Sequence, residues 1–201
     1  MKRAYIYLSL ITIIISVLSL TGCQPLKTAP EAVDGVLDLR GWDFAAEGNV
    51  NLKGEWEFYW EELKEPIDFM GQGGRLPSRR LITLPASWNS YQLEGEELGG
   101  SGYATFRLKV FLPDSESVKS LRIPSISTAH KLWINGEMLS AQGRVSRTLE
   151  GAIPKYYAQI IELKQPKGEL ELLVQVSNFN HRRGGLWQPL TLGNSDQIHL
   201  G

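Results

Sequence analysis

From Val36 onward the chain is written in short runs of alternating apolar and polar residues, separated by Gly, Pro, Asn and Ser. A period of two marks a half-buried strand, because successive side chains of a strand point to opposite faces. The clearest run is Tyr103 to Pro113. Ala104, Phe106, Leu108, Val110 and Leu112 fall on one face, and Tyr103, Thr105, Arg107 and Lys109 fall on the other. Glu169 to Asn178 repeats the pattern with Leu170, Leu172, Val174 and Val176. Val50 to Trp60 sets Trp56, Phe58 and Trp60 against Tyr59. His130 to Glu137 carries Asn135-Gly136, a hairpin-turn dipeptide. Shorter runs lie at Val36 to Trp42, Arg80 to Trp88, Ser120 to Ser125, Ala158 to Lys164 and Leu186 to Gly193. The pattern predicts about nine strands, enough for an all-β sandwich of two packed sheets. Helix is scarce: one turn is expected over Glu61 to Lys64, stopped by Pro66.

The first residues follow a different pattern. Lys2 and Arg3 precede an uncharged run from Ala4 to Leu20 rich in Ile and Leu. A basic segment before an apolar one is the design of an export signal. The run is also only slightly shorter than the ~20 residues that span a bilayer, so a retained membrane anchor is the alternative. Leu20-Thr21-Gly22-Cys23 resembles the lipobox of bacterial lipoproteins, which implies cleavage before Cys23 and lipidation of its thiol. Cys23 is the only cysteine in the chain, so no internal disulfide can form. The expected organisation is a lipoprotein signal peptide over 1–22, a tether over 23–35 and a sandwich over 36–200. The expected location is the cell envelope, lipid-anchored and extracytoplasmic.

Composition narrows the chemistry. A net charge of −1 leaves no broad basic surface to draw nucleic acid. The three histidines, His130, His181 and His199, have no short ligand spacing, so neither a metal nor a cofactor is expected. No G-x-S-x-G elbow is present, and carboxylate neighbours such as Glu61/Glu62 and Glu96/Glu97 read as surface, so no catalytic machinery is expected.

The densest polar stretch is Ser177 to Gly193, "SNFNHRRGGLWQPLTLG". Asn180, His181, Arg182 and Arg183 follow directly on a strand. Arginine grips a carboxylate through two parallel bonds, and asparagine reads hydroxyls. The plainer reading is architectural: Gly184 and Gly185 turn the chain and Trp187 is buried on the return. Tyr91, in the loop after Pro85, and His130, at the start of its strand, are weaker candidate ligand contacts. Trp88 reads as a plug at one end of the sandwich. Trp133 alternates against Leu132 and Ile134 and is expected on an outer face or in a groove. Arg144 and Arg147 are expected in a loop near the same mouth.

The runs "GEWEFYW", "LPASWNSY", "GYATFRLKVFLP", "LRIPSISTAHKLWINGE" and "GELELLVQVSNFNHRRGGLWQPLTLG", in that order, resemble the galactose-binding-like jelly roll, including the non-catalytic sugar-binding domain of β-galactosidases and β-glucuronidases. With "LDLRGWDF" and "SNFNHRRGG" added, they resemble more closely the extracytoplasmic module of bacterial seven-transmembrane receptors with diverse intracellular signalling domains. The resemblance covers Val36 to about Leu200. It implies a jelly-roll sensor that binds a carbohydrate or small anionic ligand and works with a membrane signalling partner. In that family a transmembrane region follows the module, whereas this sequence ends at Gly201. The expectation is therefore a non-enzymatic ligand-binding sensor module. The alternatives are a protein-interaction or structural lipoprotein module and a non-catalytic fragment of a glycoside hydrolase.

Overall fold

The structure is a computed structural model and describes residues 27–70, 76–115, 117–164 and 168–200. The segment expected to be a signal peptide, and Cys23, lie outside the described residues. The larger sheet holds β1 (Val36–Asp38), β3 (Gly54–Trp60), β4 (Arg80–Leu84), β7 (Gly102–Phe111), β9 (Ala129–Ile134), β10 (Glu137–Gln142) and β12 (Glu169–Asn178). Its strand order is β10-β9-β12-β7-β3-β4, with β1 parallel to the far half of β7. The smaller sheet runs β11 (Gln159–Leu163), β8 (Lys119–Ile123), β13 (Thr191–Asn194) and β2 (Val50–Asn51). A small hairpin pairs β5 (Gln92–Leu93) with β6 (Glu96–Glu97). The architecture is the expected all-β sandwich.

The inner faces are those the alternation assigned. Trp56, Phe58, Ala104, Phe106, Leu108, Val110, Leu172, Val174 and Val176 project from the larger sheet into one core. Val50, Leu121, Ile123, Leu163 and Leu192 meet them from the smaller sheet. Removing this apolar surface from water is the main favourable term for the fold. Tyr59, Leu173 and Trp133 point the other way, where Phe69 and Leu76 of the β3–β4 connection cover them in a second cluster. Trp133 is thus on the outer face but buried, so it contributes no exposed aromatic patch.

Some details depart from the pattern. The helical turn expected at Glu61 to Lys64 is absent, and a 3-10 turn forms at Pro66–Phe69 instead. Pro66 opens this turn, since the first position of a helix has no use for the N–H that proline lacks. The return arm of the Asn135-Gly136 hairpin, β10, carries no clean alternation in the sequence, because a bulge between Met138 and Ser140 breaks its period. A short helix, α1 (Phe44–Glu47), is capped by the Asp43 carboxylate, and another, α2 (Ser195–Leu200), lies against β8, β11 and β13. Of the segment expected as a tether, Lys27 onward lies on the sandwich. Lys27 Nζ donates to the Gly41 carbonyl at 2.6 Å, and buried Ala32 bonds to the backbone of Lys53 and Glu55.

Candidate functional site

The loop after β12 is built by two side-chain amides, the buried Asn178 and the half-buried Asn89. Asn178 Nδ2 donates to the carbonyls of Gly100 at 2.8 Å, His181 at 2.7 Å and Arg183 at 3.1 Å, while its Oδ1 accepts from His181 N at 3.0 Å. From the neighbouring loop, Asn89 Nδ2 donates to the Arg182 carbonyl at 2.7 Å and Oδ1 accepts from Gly184 N at 3.0 Å. Trp88, fully buried, stacks on Phe106 at 6.2 Å and meets Trp60 edge-on at 5.2 Å, so it is the end plug the sequence indicated. A Cβ on Gly184 would come within 2.2 Å of its indole. Gly185 has φ +92°, a conformation that favours glycine. Both glycines and both asparagines are therefore architectural.

That frame holds the backbone of 181–184 and leaves side chains outside. Asn180, Arg182 and Arg183 are exposed, and the two guanidiniums have no ion-pair or hydrogen-bond partner among the described residues. The His181 ring stacks on Trp187 with centroids 6.3 Å apart and an interplanar angle of 11°. Its Nδ1 lies 3.0 Å from Arg183 O and 3.2 Å from Arg183 N, so either tautomer finds a partner. Trp187 is only half-buried, and its indole backs the histidine.

Two weaker candidates are excluded from this surface. Tyr91 packs edge-on against Phe58 at 5.3 Å and donates its hydroxyl to the Leu81 carbonyl at 3.0 Å, so it belongs to the core margin. His130 has no exposed surface. It shares the inward parity of Leu132 and Ile134, a signal the alternation of its own strand already carried. Its Nε2 bonds Ser140 Oγ at 3.0 Å, and Ser140 also receives Gln159 Nε2 from the smaller sheet. Burial lowers its pKa to about 4, so the ring is neutral at pH 7.

The 143–158 loop sits at the same end of the sandwich. Ser146 N donates to Ser177 Oγ at 3.3 Å, which brings Arg144 and Arg147 to this mouth as the sequence indicated. On the other flank, a cleft of about 550 Å³ is lined by Trp60, Glu61, Glu94, Glu96 and Glu97 with Leu93 and Leu98. The opposite end carries a cleft of about 560 Å³ lined by Trp42 and Phe44 on one side and Pro113, Asp114, Ser115 and Ser117 on the other. Sequence reasoning passed over Lys119 beneath it, a buried ammonium bonded to Asn194 Oδ1 at 2.9 Å and lying 4.9 Å from the Phe44 ring centroid. Burial pushes the Lys119 pKa below the usual lysine range, with Asp43 opposing the shift.

No protein-family model and no curated protein matches the chain. Solved structures do. A β-glucuronidase from an uncultured Clostridium sp. superposes with a TM-score of 0.55 at 16% identity, over 72% of this chain and 28% of that one. A Ruminococcus gnavus β-glucuronidase gives 0.53 at 15% identity over 72% and 27%, and one from Faecalibacterium prausnitzii gives 0.50 at 16% over 72% and 31%. At such identities the likeness is one of fold. The chain shares the β-sandwich fold found within these glycoside hydrolases and spans under a third of their length.

Proposed function

We propose that this protein is a non-enzymatic, extracytoplasmic ligand-binding module that takes a carbohydrate bearing a carboxylate, or a similar small anion, at the 180–183 loop. The observation that supports it is the exposed pair Arg182 and Arg183, unpaired among the described residues, on a backbone held by Asn178 and Asn89. A held backbone lowers the ordering cost of binding, and guanidinium–carboxylate pairs add charge-assisted bonds of fixed geometry. The His181–Trp187 stack offers an apolar ring face beside them. In this reading Cys23 carries the lipid that ties the module to the membrane, and occupancy is passed to a membrane signalling partner. The fold shared with glycoside hydrolase domains favours carbohydrate as the ligand class.

The test is thermal unfolding of the full chain in neutral detergent against neutral sugars, sugar acids and simple carboxylates. A ligand at a hundred times its Kd adds ~2.7 kcal/mol, a rise on the order of 5–10 °C for a domain of this size. The expected result is a shift with a uronic acid that is lost in Arg182→Ala/Arg183→Ala, while the unliganded stability of that variant stays within about 0.5 kcal/mol. A shift with neutral sugars that survives in the variant, or no shift with any acid, overturns the assignment.

A further inference from the structure

The end of the sandwich that carries the 180–183 loop is polarised. Along the larger sheet the order β10-β9-β12-β7-β3-β4 puts the 143–158 loop at one flank and the β3 end with the β5–β6 hairpin at the other. The first flank is basic and apolar. Leu149, Ile153, Tyr156 and Tyr157 are 52%, 49%, 45% and 51% exposed, among Arg144, Arg147 and Lys155 with Glu150 as the sole acid of that loop. Four half-exposed large apolar side chains in one short loop are unusual for a surface with no partner.

This loop is also well ordered by its own bonds. Arg144 and Ile153 exchange backbone bonds at 2.9 and 3.2 Å, and Lys155 N donates to Thr128 O at 2.9 Å. Tyr157 N donates to Gln142 Oε1 at 2.7 Å. It therefore presents its apolar side chains with little further ordering to be done on contact. The second flank is concave and acidic: the cleft of about 550 Å³ has Trp60, Leu93 and Leu98 as its apolar lining and Glu61, Glu94, Glu96 and Glu97 as its carboxylates. None of these charged groups on either flank forms an ion pair among the described residues.

We propose that this end is a self-association surface. Two copies pair face to face about a two-fold axis, each seating its 144–157 loop in the acidic cleft of the other. A cationic partner would satisfy only the cleft, and an anionic one only the loop. A second copy turned by a two-fold presents both signs in the reversed order and closes after one contact, as an isologous interface must. Apolar side chains ringed by complementary charge fit the makeup of protein interfaces, in which the ring sets register and association rate. A net charge of −1 leaves little overall repulsion between copies. The inference does not depend on the ligand reading above, and it uses neither Arg182 nor Arg183.

The experiment is sedimentation of the full chain in neutral detergent over a wide concentration series, at low and high salt. The wild type is expected to dimerise, more weakly at high salt. Glu96→Lys/Glu97→Lys and Arg147→Glu/Lys155→Glu are each expected to weaken dimerisation at least tenfold. An equimolar mixture of the two variants should recover it, because the mixed pair sets the unchanged basic loop of one copy against the unchanged acidic cleft of the other, and the reversed loop against Lys side chains at 96 and 97 in place of the two glutamates. A wild type that stays monomeric overturns the proposal. So does a dimer indifferent to both charge reversals, and so does a mixture that fails to recover association.

Discussion

His130 shows how one side chain can be chemically capable and yet committed to the fold. Its imidazole is sealed between the sheets, and its Nε2 bond to Ser140 helps join the edge strands β10 and β11 through Gln159. Its Nδ1 has no partner, so the ring has no means of sharing a charge there. A folded-state pKa of about 4 against an ordinary value of 6.5 means that the unfolded chain takes up the proton first as pH falls. The contribution of this residue is therefore full above about pH 6.5 and is lost progressively as pH drops towards 4, amounting to about 3 kcal/mol at the acid end. Urea unfolding of wild type and His130→Gln across that window should show the wild-type curve falling more steeply. Parallel curves would remove His130 as the cause.

At the scale of elements, the connection from β3 to β4 behaves as a strap across the outer face of the larger sheet. Glu57 fastens it: its carboxylate accepts Arg79 Nε at 2.8 Å, Arg107 Nη1 at 3.1 Å and the Tyr59 hydroxyl at 2.8 Å. Arg107 continues to Glu171 and lies 4.3 Å from the Phe69 ring centroid. Burial first, then the bond to Glu57, raises the Tyr59 pKa well above its usual range, so the phenol stays a donor. Removing one member of a buried charged network strands the others, and Glu57→Ala is expected to cost about 3 kcal/mol. Denaturant midpoints check this. A loss below about 1 kcal/mol would mean that the strap is held by Phe69 and Leu76 alone. The alternation in β3 foretold that Tyr59 faces away from Trp56 and Phe58, whereas the strap over it is set by contacts with residues far along the chain.

Seen whole, the molecule has two unlike ends. The described chain enters at Lys27 against Gly41 and Glu47, and it leaves through α2, whose Gln197 reaches Ala45. Both ends of the described chain thus lie opposite the 178–187 loop, at the cleft above Lys119. If Cys23 is the lipid anchor, the arginine loop faces away from the bilayer. In liposomes carrying the lipidated chain, Arg182→Cys should react with a bulky maleimide as fast as in detergent, and Ser115→Cys several-fold more slowly. Equal slowing at both positions would reject that orientation.

Within a strand, which side chains face inward is a local matter, because consecutive residues point to opposite faces whatever lies beyond them. The alternation from Tyr103 to Leu112 and from Leu170 to Val176 therefore specified the core, and Gly184 with Trp88 specified the closed end. Which loops share that end is not local. It depends on strand order and register: Asn178 lies opposite Gly102 and Ser177 opposite Ala129, so loops far apart in the sequence meet around one mouth. For this reason the exposed arginines were readable as residues, whereas the packing of Tyr91 against the core margin, the sealing of His130 between two edge strands and the opposed charges of the two flanks emerged only when the sheets were stacked.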